Sequence, residues 1–334
     1  MEEDAIAVAS VLRTSMLSRG DQMLKMEQDL AAYLNKKYAL FTGNGTQAQM
    51  LILKSLGIGP GDEVILPTYV CDKVWKGVTA IGANPVLCDV GENGVMSSAE
   101  IAPKITIKTK AIILVHIFGI NAWTEDLSAF NIPIIEDICQ SFGSIKYENR
   151  TGTFTSYAFT SFHGTKALGL GEGGMLFVND EAQFEEIKRL KANLGFVTSG
   201  TEITAAMGNA QLGRYQIGLE RRKEIAMDYL HSIPKELNTW ANAIVGKSMH
   251  FRYVLKSNKD WETIRKKYLE QGIHVRKGVD ALLHRQYGLS DENFPTAAQL
   301  FTQAVSIPIL PQLTTEESER IVKATKLLFK QGIL

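Results

Sequence analysis

The chain predicts an α/β fold built on a mostly parallel sheet, and three observations carry that prediction. Short apolar runs recur, separated by helical or mixed segments, the alternation expected of an α/β sheet. Many of these runs are apolar throughout rather than alternating, which suits strands covered on both faces. The residues of greatest chemical interest follow directly after the runs, where such sheets place their ligands. With 334 residues, 45% of them hydrophobic, the chain can fill one large domain and a smaller C-terminal α+β domain. The boundary is expected near residue 230, giving domains of 1–230 and 231–334.

Residues 3–19 predict a helix, because Val8, Val11, Leu12 and Met16 recur near helical spacing. Ser18-Arg19-Gly20-Asp21 breaks it. A second helix over 22–35 carries Met23, Met26, Leu30 and Leu34 on one face. A short apolar run at 38–41 leads through Thr42-Gly43-Asn44-Gly45-Thr46 into a helical pattern of Met50, Leu51, Leu53 and Leu56. Strand, Gly/Thr turn and helix together can cradle a phosphate, since free N–H groups and the helix dipole favour an anion there. The same residues equally serve as a plain helix cap. No Gly-Lys-Ser/Thr follows, so this is not a Walker P-loop.

Further strands are expected at 63–66, 85–89, 111–116, 132–136, 157–161 and 175–178, with a helical segment at 72–81. A charged amphipathic helix follows at 181–194. Residues 201–230 read as one long helix or a kinked pair, small-residue-rich early (Ala205, Ala206, Gly208, Ala210) and charged later. Beyond lie a strand-like run at 251–255, a helix at 260–271, an irregular region at 275–294 and a final helix at 315–331.

Composition excludes several functions. The 36 basic and 36 acidic side chains cancel, so neither nucleic acid nor an anionic membrane surface is an expected partner. The apolar run at 111–120 holds a histidine and is about half the ~20 residues a membrane span needs. Cys71, Cys88 and Cys139 are odd in number and far apart, so no disulfide framework and no metal motif is expected. The acidic start, Met1-Glu2-Glu3-Asp4, is unlike a signal peptide, and a cytoplasmic, metal-independent protein is the expectation.

The chemistry centres on Ser161-Phe162-His163-Gly164-Thr165-Lys166, followed by a glycine-rich run to Gly174. One lysine lies between two expected strands, with glycines that let backbone approach closely. A lysine desolvated in such a place becomes a nucleophilic amine, whereas most lysines are solvated surface charges. Gly169–Gly174 also spells the dinucleotide fingerprint G-x-G-x-x-G, but a strand-like run follows it where that motif needs a helix. The second candidate is Glu136-Asp137 at the end of an apolar run, with Gln140 beyond. A buried carboxylate needs a partner. Asp137 could cap the next element or hold a cation such as a protonated ring nitrogen.

With these residues in view, the chain resembles the DegT/DnrJ/EryC1/StrS family of pyridoxal-phosphate enzymes. The likeness runs through Asn44-Gly45-Thr46, Gly59–Pro67, Gly82–Val86, Glu136-Asp137 with Gln140, Ser161-Phe162 with Lys166, Gly171–Gly174, Ala205–Leu212 and Phe294–Leu313. It implies a fold-type-I, aspartate-aminotransferase-like architecture and pyridoxal 5′-phosphate as cofactor. It further implies that Lys166 bonds covalently to the cofactor aldehyde and moves the substrate proton. Asp137 would pair with the pyridine nitrogen, and Gln140 would reach the ring's phenolic oxygen. Gly45, Thr46, Gln47 and Ser161 would surround the phosphate, and His163 would neighbour the site.

Three departures stand out. Cys71 occupies the position where the family stacks an aromatic on the ring, so Tyr69 or Trp75 would have to compensate. The loop from Phe196 to Thr201 lacks the family's Asn and Arg, which leaves Asn193 as the nearest asparagine. The chain also starts late relative to the family's usual N-terminal arm. The implied reaction is transfer of an amino group from an amino acid, glutamate by resemblance, to a keto sugar nucleotide or related cyclic polyol, in a homodimer. A sugar dehydratase or lyase is the alternative within the same cofactor; family dehydratases replace the lysine, which is retained here. A cofactor-binding regulatory homologue without turnover is the alternative outside it.

Overall fold

The computed structural model describes residues 2–195, 197–238 and 247–334. Its strands are β1 (Tyr38–Thr42), β2 (Glu63–Pro67), β3 (Asn84–Cys88), β4 (Thr109–Val115), β5 (Ile134–Asp137), β6 (Ile145–Lys146), β7 (Asn149–Arg150), β8 (Tyr157–Ser161), β9 (Gly174–Val178), β10 (Tyr253–Lys256) and β11 (Ala304–Ile307). Its α-helices are α1 (Glu2–Thr14), α2 (Asp21–Tyr33), α3 (Gly45–Ser55), α4 (Asp72–Thr79), α5 (Ser98–Ile101), α6 (Glu181–Asn193), α7 (Glu202–Gly213), α8 (Tyr215–Ser232), α9 (Trp261–Glu270), α10 (Leu283–Gln286), α11 (Pro295–Gln303) and α12 (Thr315–Lys330).

Seven strands form the central sheet in the order β1-β9-β8-β5-β4-β2-β3. The expected parallel pairing holds from β3 across to β8. Strand β9 departs from it and runs antiparallel to both neighbours. The cause is the connection after β8, which contains no helix and so cannot make the crossover a parallel return requires. Because β9 reverses twice, β1 points the same way as β8. The carboxyl ends of β1, β2, β4, β5 and β8 therefore share one edge of the sheet.

Both faces are covered, as the apolar strands anticipated. Along β9, Leu176 faces one core with Leu51, Ile113 and Phe159, while Met175 and Phe177 face another with Met26, Leu30 and Phe41. A third core gathers Ile225 and Tyr229 of α8, Tyr253 and Leu255 of β10, Val305 and Ile307 of β11, and Ile321 and Leu328 of α12.

Several boundaries differ from the sequence reading. The first helix ends at Thr14, before Ser15 at φ 58°. Residues 201–230 divide into α7 and α8 at Arg214 (φ −115°). The region at 275–294 contains α10, and β11 pairs with β10 in a stretch where no strand was expected. No helix among the described residues is long and apolar enough to cross a membrane.

Candidate active site

The shared strand edge gathers the candidate residues. Asp137 ends β5, flanked by β4 and β8, and is 5% exposed. One of its carboxylate oxygens accepts the Cys139 N–H at 2.9 Å. Among the described residues no cation forms an ion pair with it. Its strand neighbour Glu136 is fully satisfied instead. Glu136 accepts from His116 Nε2 at 3.0 Å, Gly152 N at 2.7 Å and Thr155 N at 2.9 Å. His116 Nδ1 accepts the Ala122 N–H at 2.9 Å, so the ring proton sits on Nε2 and points at Glu136. Successive strand residues face opposite sides, which divides the pair into one structural carboxylate and one carboxylate open to a ligand.

Lys166 is half-buried, and its ammonium lies 5.4 Å from the centre of the Phe251 ring. A small cavity joins it to Ser161, Cys139, Phe142 and Met249. Lys166 and Asp137 both act on the two thiols beside them. Cys71 opens to solvent but is crowded by protein on its other sides, which raises its pKa; Asp137 adds to the rise and Lys166 opposes it. Burial likewise pushes the Cys139 thiol well up, again reinforced by Asp137 and opposed by Lys166.

Helix α3 begins at Gly45. Asn44, with φ −165°, caps it by accepting the Gln47 N–H at 2.9 Å. A Cβ at Gly45 would stand 3.0 Å from Ser161 Cβ, so glycine here lets the helix start close against the end of β8. The first-turn N–H groups of a helix have no acceptor within it. Thr46 lies in that first turn. The Gln47 side chain accepts from Thr198 N and Oγ1, each at 3.2 Å, and so ties α3 to the loop before α7. Gln140 Oε1 accepts the Phe118 N–H at 3.1 Å.

His163 is exposed and bonds Thr165 Oγ1 at 2.9 Å. Trp75 is engaged elsewhere, stacked on Tyr287 at 3.8 Å. Tyr69 is wholly buried, edge-on to Phe118 at 6.1 Å. Phe196, part of the loop that lacks the family's Asn and Arg, lies outside the described residues.

Sequence reasoning missed a wall of the site. Residues 248–252 run into β10 and are stitched to the loops after β4 and β5: Met249 N donates to Ser144 Oγ at 2.9 Å, and that hydroxyl donates to Gly119 O at 2.7 Å. This brings Phe251 to Lys166. The one available signal was the mixed run His250-Phe251-Arg252 just before an apolar strand. A roomier groove lined by Lys256, Thr296, Gln299 and Gln303 lies elsewhere and holds no lysine beside a buried carboxylate.

The arrangement fits pyridoxal phosphate on three counts. Among the described residues a buried carboxylate lacks a cationic partner and a half-buried amine pairs with no carboxylate, and a glycine-started helix N-terminus adjoins a serine. Comparison with known proteins agrees. The chain is 31% identical to the dTDP-3-amino-3,6-dideoxy-alpha-D-galactopyranose transaminase of Aneurinibacillus thermoaerophilus, over 95% of this chain and 93% of that protein. It is 29% identical to a protein named pleiotropic regulatory protein from Geobacillus stearothermophilus, over 94% and 91%. The fold matches DesV of S. venezuelae, solved in complex with a ketimine intermediate, at a TM-score of 0.90 and 26% identity, covering 98% of this chain and 94% of that one. Residues 1–326 match the DegT/DnrJ/EryC1/StrS aminotransferase family. Matched along almost its whole length, the chain belongs to the DegT/DnrJ/EryC1/StrS aminotransferase family, enzymes that work with pyridoxal 5′-phosphate.

Proposed function

We propose that the protein transfers an amino group from an amino acid, glutamate in the first instance, to a keto sugar nucleotide or related cyclic polyol. The observation that carries this is a half-buried amine, Lys166, set at the same sheet edge as the buried Asp137 carboxylate, which has no cationic partner among the described residues, in a member of an aminotransferase family. Pyridoxal phosphate supplies an electron sink that lets a proton leave the carbon bearing the nitrogen. The residues of this chain do the rest. Asp137 holds a positive charge at the ring nitrogen. Lys166 carries the proton from one carbon to the other as base and then acid. Gln140 would reach the phenolic oxygen, and Cys71 would face the ring where the family has an aromatic. Gly45, Thr46, Gln47 and Ser161 surround the phosphate at the start of α3. His163 borders the site from the glycine-rich turn.

A cytoplasmic setting suits three free cysteines, Cys71 among them exposed. A homodimer suits the apolar side chains exposed on and after α1: Ile6, Leu12, Met16 and Leu17. The regulatory reading keeps one observation, the relative named for regulation, and a protein of that kind would bind cofactor without turnover. Retention of Lys166 speaks against the dehydratase reading.

The visible spectrum of the purified holoprotein tests the proposal. Added glutamate is expected to bleach the cofactor band, and a keto sugar nucleotide to restore it. Lys166→Ala is expected to lose both changes. A band indifferent to glutamate and every other amino acid would leave the lyase and regulatory readings.

A further inference from the structure

The mechanism leaves one cationic cluster unused. Phe251 carries two cations against its ring, Lys166 Nζ at 5.4 Å from the centre and the Arg252 guanidinium at 5.9 Å. Arg252 is half-buried, and among the described residues no carboxylate pairs with it. Its closest polar contact is a long one, Nη1 to Ser306 Oγ at 3.5 Å, and its buried Nε has no hydrogen-bond partner. A desolvated guanidinium without acceptors is costly unless something supplies them.

The surroundings point the same way. Arg276 pairs with Ser306 through both backbone bonds, N to O at 3.0 Å and O to N at 2.7 Å, which sets a second guanidinium beside the first. Tyr69 is wholly buried, yet its hydroxyl has no hydrogen-bond partner among the described residues. That hydroxyl abuts Gly278, where any Cβ would collide with it. The ring of Tyr69 meets Phe118, whose N–H is held by Gln140. Desolvation lowers the Arg252 pKa, and Arg276 lowers it further while Asp280 and Tyr69 act in the opposite sense. Among the described residues, Asp280 is the carboxylate that acts on Arg252, and it is exposed.

We infer that Arg252, with the Tyr69 hydroxyl beside it, forms the subsite that receives a substrate carboxylate while the reacting carbon lies at Lys166. A planar guanidinium matches a carboxylate through two parallel hydrogen bonds, and the phenol supplies a third donor. The carboxylate could come from the amino donor or from a uronic acid acceptor. The inference deepens the aminotransfer reading and rests on it for the role of Lys166, but its binding step can be measured without turnover.

The test is calorimetric titration of the holoenzyme with two unreactive probes, glutarate for the donor and UDP-glucuronate for the acceptor, with UDP-glucose as the neutral control. Arg252→Gln should weaken one probe by about tenfold or more, the loss expected for a charged hydrogen-bond pair. Arg252→Lys should fall between that variant and the wild type, and Tyr69→Phe should lose about threefold. Loss confined to glutarate assigns the donor's carboxylate; loss confined to UDP-glucuronate, with UDP-glucose unchanged, assigns the acceptor's. An unchanged cofactor band in each variant reports an intact fold. If the wild type binds neither probe, or if Arg252→Gln binds both as the wild type does, the subsite does not exist. Should glutamate fail to bleach the wild-type band while glutarate binding still depends on Arg252, the aminotransfer reading falls and the subsite stands.

Discussion

At the residue scale, the pair Glu136-Asp137 shows what a sequence can and cannot say about two adjacent acids. Their position after an apolar run announced that both would be buried and would need partners. Only three-dimensional packing could decide which one already had them. His116, from the end of β4, and Gly152 and Thr155, from the connection before β8, reach Glu136 from two separate stretches of chain. Removing that carboxylate strands several donors in a dry interior at once. Glu136→Ala is therefore expected to cost about 3–5 kcal/mol of stability, read as a lowered urea midpoint of the cofactor-free protein. Glu136→Gln keeps one acceptor oxygen and should cost less. If Glu136→Ala unfolds at the wild-type midpoint, the network contributes nothing. Lys166 was legible because a lone lysine between strand signals is conspicuous, whereas Arg252 was not, because it stands in ordinary strand-like surroundings.

At the element scale, helices with regular apolar spacing were readable and their ends were less so. The α2 start is held by Glu202, whose carboxylate accepts the N–H groups of Gly20, Gln22 and Met23 at 2.8–2.9 Å. No local pattern could reveal a cap supplied from the first turn of α7. Strand β11 was missed for a related reason: it follows α11 with no turn residue between them. The segment before β10 is anchored from outside as well. Arg222 of α8 donates to His250 O at 3.1 Å and to Ile309 O at 2.8 Å. Burial, aided by the positive charges of Arg222 and Lys223, brings the His250 pKa down to about 4, and its buried Nε2 has no hydrogen-bond partner. Between that value and the ordinary histidine pKa of about 6.5, the unfolded chain binds a proton that the folded chain refuses. Stability contributed by neutral His250 is thus fully present above pH ~6.5 and is lost as pH falls towards 4, by about 3 kcal/mol in all. His250→Asn should flatten that part of the stability–pH curve measured by urea unfolding. A variant curve as steep as the wild type's between those limits would refute the assignment.

At the scale of the whole molecule, the candidate residues collect at the sheet edge where parallel α/β sheets place ligands, and that much follows from apolar strands alternating with helices. What lies beyond one chain does not follow from such patterns, because an interface is recognised by apolar surface that the fold leaves uncovered. Helix α1 buries only Val11 of its 13 residues. Ile6 (64% exposed), Leu12 (54%) and, just after the helix, Met16 (55%) and Leu17 (46%) lie open. At 25 cal/mol per Å² of apolar surface, covering a patch of this kind contributes several kcal/mol to association. If this patch is the homodimer contact, sedimentation of the holoprotein should give the mass of two chains, and Leu12→Glu with Met16→Glu should shift it to one. Substitutions at such open positions change the stability of a lone subunit by only about 0.5 kcal/mol, so loss of the dimer would report the interface rather than unfolding. A two-chain mass that survives both charges would move the contact to another face of the molecule.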